Sequence, residues 1–99
     1  MNGQKLKGML GIARRTGCIV LGAEAVRGAI GSGRAAVLLV DTDASGRTAE
    51  TLRKQAEEKS VPLYRTEKGL IGNACGKAGC MTAAVLKGTM AEGIIKILE

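Results

Sequence analysis

The chain has 99 residues, enough for one hydrophobic core and too few for two, so a single domain over residues 1–99 is expected. Fifteen Lys and Arg against nine Asp and Glu give a formal charge of +6, which favours a polyanionic partner such as RNA. With no His and no closely spaced Cys pair, the chain lacks the commonest general base and the usual zinc ligands, so a noncatalytic protein without a cofactor or metal is expected.

In chain order, Leu6, Met9, Leu10 and Ala13 recur at helical spacing and predict a first helix that Gly17 ends. Cys18 to Leu21 reads as a short strand, and Gly22 stops it where a second helix begins, with Val26, Ala29 and Ile30 inward and Gly31, Ser32 and Gly33 at its close. The run AVLLV, Ala36 to Val40, predicts the most central strand, buried on both faces. Asp41, Asp43 and Ser45 form a polar loop, read as the start of a third helix in preference to a magnesium site. That helix turns Ala49, Leu52 and Ala56 inward, and its outer face offers the pairs Glu50 with Lys54, Arg53 with Glu57 and Lys54 with Glu58.

Val61 to Tyr64 predicts a third strand, with Thr66 capping a short helix that ends at Cys75 and Gly76 as its left-handed stop. TAAVL from Thr82 predicts a fourth strand. Thr89 and Glu92 have the spacing of a capping box ahead of a last helix carrying Met90, Ile94, Ile97 and Leu98. Five helices alternating with four short strands call for an α/β fold, a three-layer α/β/α sandwich around a four-stranded mixed sheet.

Three cysteines without regular spacing, Cys18, Cys75 and Cys80, read as reduced core thiols. The lack of a long apolar run or leader points to a cytoplasmic protein with no membrane partner. Three glycine patterns fail as nucleotide motifs. GSGRAA follows a helix where a dinucleotide turn follows a strand; GNACGK has Ile71 and Ala78 where a phosphate loop needs Gly and Ser or Thr; GKAG precedes a strand where a KH clamp precedes a helix. The only aromatic residue is Tyr64, too little for base-stacking platforms, so a folded RNA fits better than a single strand. The turns at Gly22 and from Gly76 to Met81 lie at strand ends, where open α/β sheets form their sites.

The segments GAEAVRGAIGSGRAAVLLVDTD, VPLY and IGNACGKAGCMTAAVL, in that order, resemble the L7Ae ribosomal protein family, and LGIARRTGCIVLG resembles its short bacterial, YlxQ-like branch. The resemblance implies an α/β/α sandwich that binds kink-turn RNA, ribosomal RNA being one candidate, through the start of the second helix. There the family has Gly, any residue, Asn, Glu and, further on, Lys. This chain has Gly22, Ala23, Glu24, Ala25 and Gly28, with Arg27 beside the last. A second contact region maps onto Lys77, Ala78, Gly79, Cys80 and Met81. The amides of Gly22 and Ala23, with Glu24, are expected at base edges, and Arg14, Arg15, Arg27, Arg34 and Lys77 at phosphates. The alternative is a protein-interaction module that keeps the scaffold and has lost kink-turn recognition.

Overall fold

A computed structural model describes residues 3–99, in which helices and strands alternate as α1 (Gly3–Arg15), β1 (Ile19–Leu21), α2 (Ala23–Gly31), β2 (Ala35–Asp41), α3 (Gly46–Glu58), β3 (Leu63–Thr66), α4 (Leu70–Cys75), β4 (Thr82–Leu86) and α5 (Thr89–Leu98). The sheet has the order β1-β4-β2-β3. β4 is antiparallel to both its neighbours, whereas β2 and β3 are parallel, so the sheet is mixed as expected.

The pleat of β2 divides its side chains between two cores, because successive residues of a strand face opposite ways. Val37 and Leu39 join Leu6, Leu10 and Ala13 of α1, Ile71 of α4 and Ile94 of α5 on one face. Leu38 and Val40 join Val26, Ala29 and Ile30 of α2 and Leu52 of α3 on the other. All four of these β2 residues are 0% exposed, as a strand covered on both faces requires. Helices on both faces make three layers, and β2 shares the centre of the sheet with β4.

Several boundaries differ from the sequence reading. β3 starts at Leu63 instead of Val61, because the Val61 N–H donates to Ala56 O at 2.8 Å and so closes α3. Thr66 is the last residue of β3, 1% exposed, and caps nothing; Gly69, with φ 81°, is the N-cap of α4. Gly88 is the N-cap of α5 with no side-chain cap bond, so the Thr89 and Glu92 box does not form. On α3, Arg53 bonds Glu50 at 2.7 Å and Glu57 at 2.6 Å, and Lys54 forms no ion pair among the described residues. Gly17 and Gly76, at φ 73° and 68°, end α1 and α4 as expected.

Candidate nucleic-acid interface

Because β1 and β2 are both antiparallel to β4, they are parallel to each other and end at the same edge of the molecule. The helices that follow them, α2 and α3, therefore both begin at that edge. Gly22 makes the first turn with φ 91° and ψ 146°, backbone angles available to glycine and strained for other residues. Its carbonyl accepts from Val26 N at 2.9 Å and its own N–H donates to Thr82 O at 3.1 Å. The Gly22 amide is therefore tied to the sheet, a correction to its expected role at a base edge. The exposed donors begin with Ala23, since α2 has no side-chain cap and its first amides lack intrahelical acceptors. Ser45 caps α3, its Oγ accepting from Thr48 N at 3.1 Å.

The opposing wall is the loop from Lys77 to Met81. Gly79, at φ 81°, bends it, and Cys80 N–H donates to Lys77 O at 3.1 Å. Two further bonds hold it in place: Lys77 N–H donates to Gly72 O at 3.0 Å, and Asp41 N–H donates to Met81 O at 2.8 Å. The Cys80 thiol turns inward, donating to Thr82 O at 3.3 Å, and leaves backbone at the surface. Cys18, Cys75 and Cys80 are free thiols; the last two are buried, and burial followed by the proximity of Cys80 pushes the Cys75 thiol up.

The sequence reading gave no role to Gly72, yet the loop rests on it. A Cβ there would lie 3.0 Å from Lys77 O, a backbone atom already held by the Cys80 amide. Gly72→Ala gains up to ~1 kcal/mol of helix propensity and loses ~1–3 kcal/mol to overpacking. The expected outcome is a net loss of about 1 kcal/mol in urea unfolding, with amide shift changes concentrated at Ala78 and Gly79.

Between the two walls lies an open cleft of about 470 Å³, lined by Gly22 and Ala23, by Ala44, Ser45 and Thr48, and by Lys77 through Thr82. A groove of about 180 Å³ adjoins it through the shared Ala23 and Thr48, with Arg27 and Arg47 along its sides. Gln55 Nε2 donates to Arg27 O at 3.1 Å and ties α3 to the helix that carries Arg27. Among the described residues no carboxylate lines either concavity, and Arg27, Arg47 and Lys77 form no ion pair. Asp43, in the loop before α3, is paired with Lys68 at 3.7 Å. The N-terminus of α3 and three cations without ion pairs thus make this edge positive, and Glu24 in the first turn of α2 offsets only part of that charge.

Of the residues expected at a site, the cleft and groove bring together Gly22, Ala23, Arg27, Lys77, Ala78, Gly79, Cys80 and Met81. Glu24, Ala25 and Gly28 are exposed on α2 outside the lining. Arg14 and Arg15 sit in the last turn of α1 and line neither the cleft nor the groove. Arg34 precedes β2 and so lies at the other end of the sheet, its Nε donating to Ser32 Oγ at 2.9 Å. Arg47 and Thr48, which the sequence reading left out, complete the groove.

The sequence profile of the Ribosomal protein L7Ae/L30e/S12e/Gadd45 family matches residues 4–94. The chain belongs to this family. The "RNA-binding protein YlxQ" of Bacillus subtilis (strain 168) is 29% identical over 100 residues, spanning 100% of both chains. A Bacillus halodurans protein of unknown function superposes with a TM-score of 0.88 at 21% identity, over 95% of this chain and 96% of that one. A Giardia lamblia 15.5kD RNA binding protein superposes with a TM-score of 0.77 at 19% identity, over 96% of this chain and 82% of its own. The two structural likenesses show a shared fold, with the α/β layering deduced from the residues.

Proposed function

We propose that the chain is a noncatalytic, cytoplasmic RNA-binding domain, of ribosomal or translation-associated type, whose cleft holds a kink-turn-like RNA. The observation that carries this reading is the convergence of the Gly22 turn and the Lys77–Met81 loop on one positive, carboxylate-free cleft. Amides of Ala23 and its successors reach base edges, while Arg27, Arg47 and Lys77 meet phosphates on either side of the bend. Small residues at Ala78 and Gly79 let a backbone approach closely. Tyr64 is half-buried against the core and offers no stacking surface, which favours a folded RNA over a single strand. The name of the Bacillus subtilis relative supports RNA as the partner class.

One observation favours the protein-interaction module: Glu24, Ala25 and Gly28 stand in place of the family's Asn, Glu and Lys. The two readings part in a filter-binding titration. RNA recognition by shape predicts at least a tenfold preference for a kink-turn RNA over an uninterrupted duplex of equal length in about 0.15 M salt, a threshold well below the ~10³-fold at which specific nucleic-acid binding usually begins. Equal affinity for the two overturns the kink-turn reading and leaves the module.

A further inference from the structure

The sheet has a second charged pole. β4 leaves the cleft at Thr82 and delivers Lys87 to the other end, where Lys87 N–H donates to Arg34 O at 2.9 Å, just before β2. Lys59, the C-cap of α3, arrives at the same end because α3 runs back along the sheet from the cleft edge. Between them lies a cleft of about 310 Å³ lined by Ile30, Gly33, Ala35, Lys59, Ser60 and Lys87, among other residues, with no carboxylate in its walls. Arg34 stands between two of those lining residues. Among the described residues Arg34, Lys59 and Lys87 form no ion pair. Glu92 borders a neighbouring depression with Lys87, without an ion pair between them.

Cations at helix C-termini commonly offset the negative end of the helix dipole, and Arg34 and Lys59 follow α2 and α3. That account is incomplete here. Three of the last four carbonyls of each helix are already satisfied by backbone: Ser32, Gly33 and Arg34 N–H close α2, and Lys59, Ser60 and Val61 N–H close α3. Lys87 follows a strand, where no helix dipole calls for it. Ser60 holds φ 57°, left-handed for a non-glycine residue, in the turn that sets Lys59 at the mouth of the cleft.

We infer that this pole is a second phosphodiester-binding surface, engaging the backbone of a duplex stem that extends from the RNA in the main cleft. The two surfaces are separated by the length of β2, seven residues or about 20 Å at ~3.3 Å per residue. A stem of a few base pairs falls short of the second surface; one of about 16 base pairs, a span duplex-binding domains cover, reaches it. This inference rests on RNA being the partner, and it assigns the three cations to affinity for stem length and not to recognition of the bend.

The test uses the full chain, its triple variant Arg34→Ala, Lys59→Ala and Lys87→Ala, and three RNAs: a kink-turn with short stems, the same kink-turn with one stem of about 16 base pairs, and a plain duplex of that length. Three phosphate contacts, one per cation, predict an advantage of about a hundredfold for the long-stem RNA over the short-stem one in 0.15 M salt, with a salt slope steeper by nearly three. The triple variant loses that advantage and keeps its affinity for the short-stem RNA, while Lys59→Arg with Lys87→Arg retains both. A wild-type chain indifferent to stem length, or a triple variant that keeps the advantage, overturns the inference. Failure of the kink-turn reading is seen separately, as equal affinity of the triple variant, which lacks the second surface, for the short-stem kink-turn and the plain duplex. In that event the triple variant still flattens the salt slope for the plain duplex.

Discussion

Replacing Arg27, Arg47 and Lys77 together by Ala weakens binding to a kink-turn RNA about a hundredfold in 0.15 M salt, with the slope of log affinity against log salt reduced by nearly three. Each neutralised phosphate releases counterions and contributes ~0.9 to that slope, so three lost contacts account for about two decades at this ionic strength. The three side chains come from α2, the start of α3 and the loop before β4, and all are exposed. Their removal leaves both cores untouched, so the thermal midpoint is expected within a few degrees of wild type. Arg27→Ala alone weakens binding about fivefold and lowers the slope by about one. An unchanged slope together with an unchanged preference for the kink in the triple variant would show that the RNA does not lie across this cleft. A lost preference for the kink at constant slope would instead place these cations at base edges.

How much of this was readable beforehand depended on whether the signal was local. AVLLV is best explained as a strand covered on both faces, and the helices around it carried their inward residues at helical spacing. The sandwich followed from that alternation. β3 was misplaced by two residues because its start is set by tertiary demands: α3 needs the Val61 amide for its closure, and the parallel register begins at Leu63 opposite Leu38. Thr66 has the chemistry of a cap, yet the same register carries it into the sheet opposite Asp41. For α5, the exit from β4 is made by Gly88 at φ 148°, which takes the cap position from Thr89.

The site divided in the same way. Gly22 and Gly79 punctuate turns, and a positive φ is a demand that the local sequence reveals. Arg47 and Thr48 look, in sequence, like the opening of an ordinary solvated helix. Only the strand order β1-β4-β2-β3 places that opening beside the start of α2, and strand order is not written in any one segment. Arg34 failed in the opposite direction: as a charge near a glycine it resembled the cleft cations, and the direction of β2 put it a sheet's length away.

Asp41→Ala is expected to cost about 4 kcal/mol of folding stability, more than any other single change considered for the cleft end of the molecule. Asp41 is 1% exposed at the end of β2, and its two carboxylate oxygens hold different segments. Oδ1 accepts from Asp43 N at 2.7 Å, fixing the loop that leads to Ser45; Oδ2 accepts from Gly69 N at 2.8 Å, fixing the start of α4. Its backbone adds a third and fourth tie, to Met81 O at 2.8 Å and from Arg65 Nη1 at 3.1 Å. Hydrogen bonds to a charged group contribute ~1.5–3 kcal/mol each, and Ala leaves two donors without an acceptor. Asn keeps one accepting oxygen, so Asp41→Asn is expected to cost about half as much and to remain folded if the Ala variant does not. The measurement is the unfolding midpoint: at ~4–8 °C per kcal/mol for a chain of this length, the Asn variant melts about 10 °C below wild type. A loss under 1 kcal/mol for Asp41→Ala would mean that the two loops hold their places without the carboxylate. If the carboxylate does hold them, RNA affinity falls in the Asn variant as well, because α4 supports the Lys77–Met81 loop through Gly72 and the loop before α3 supplies Ala44 and Ser45.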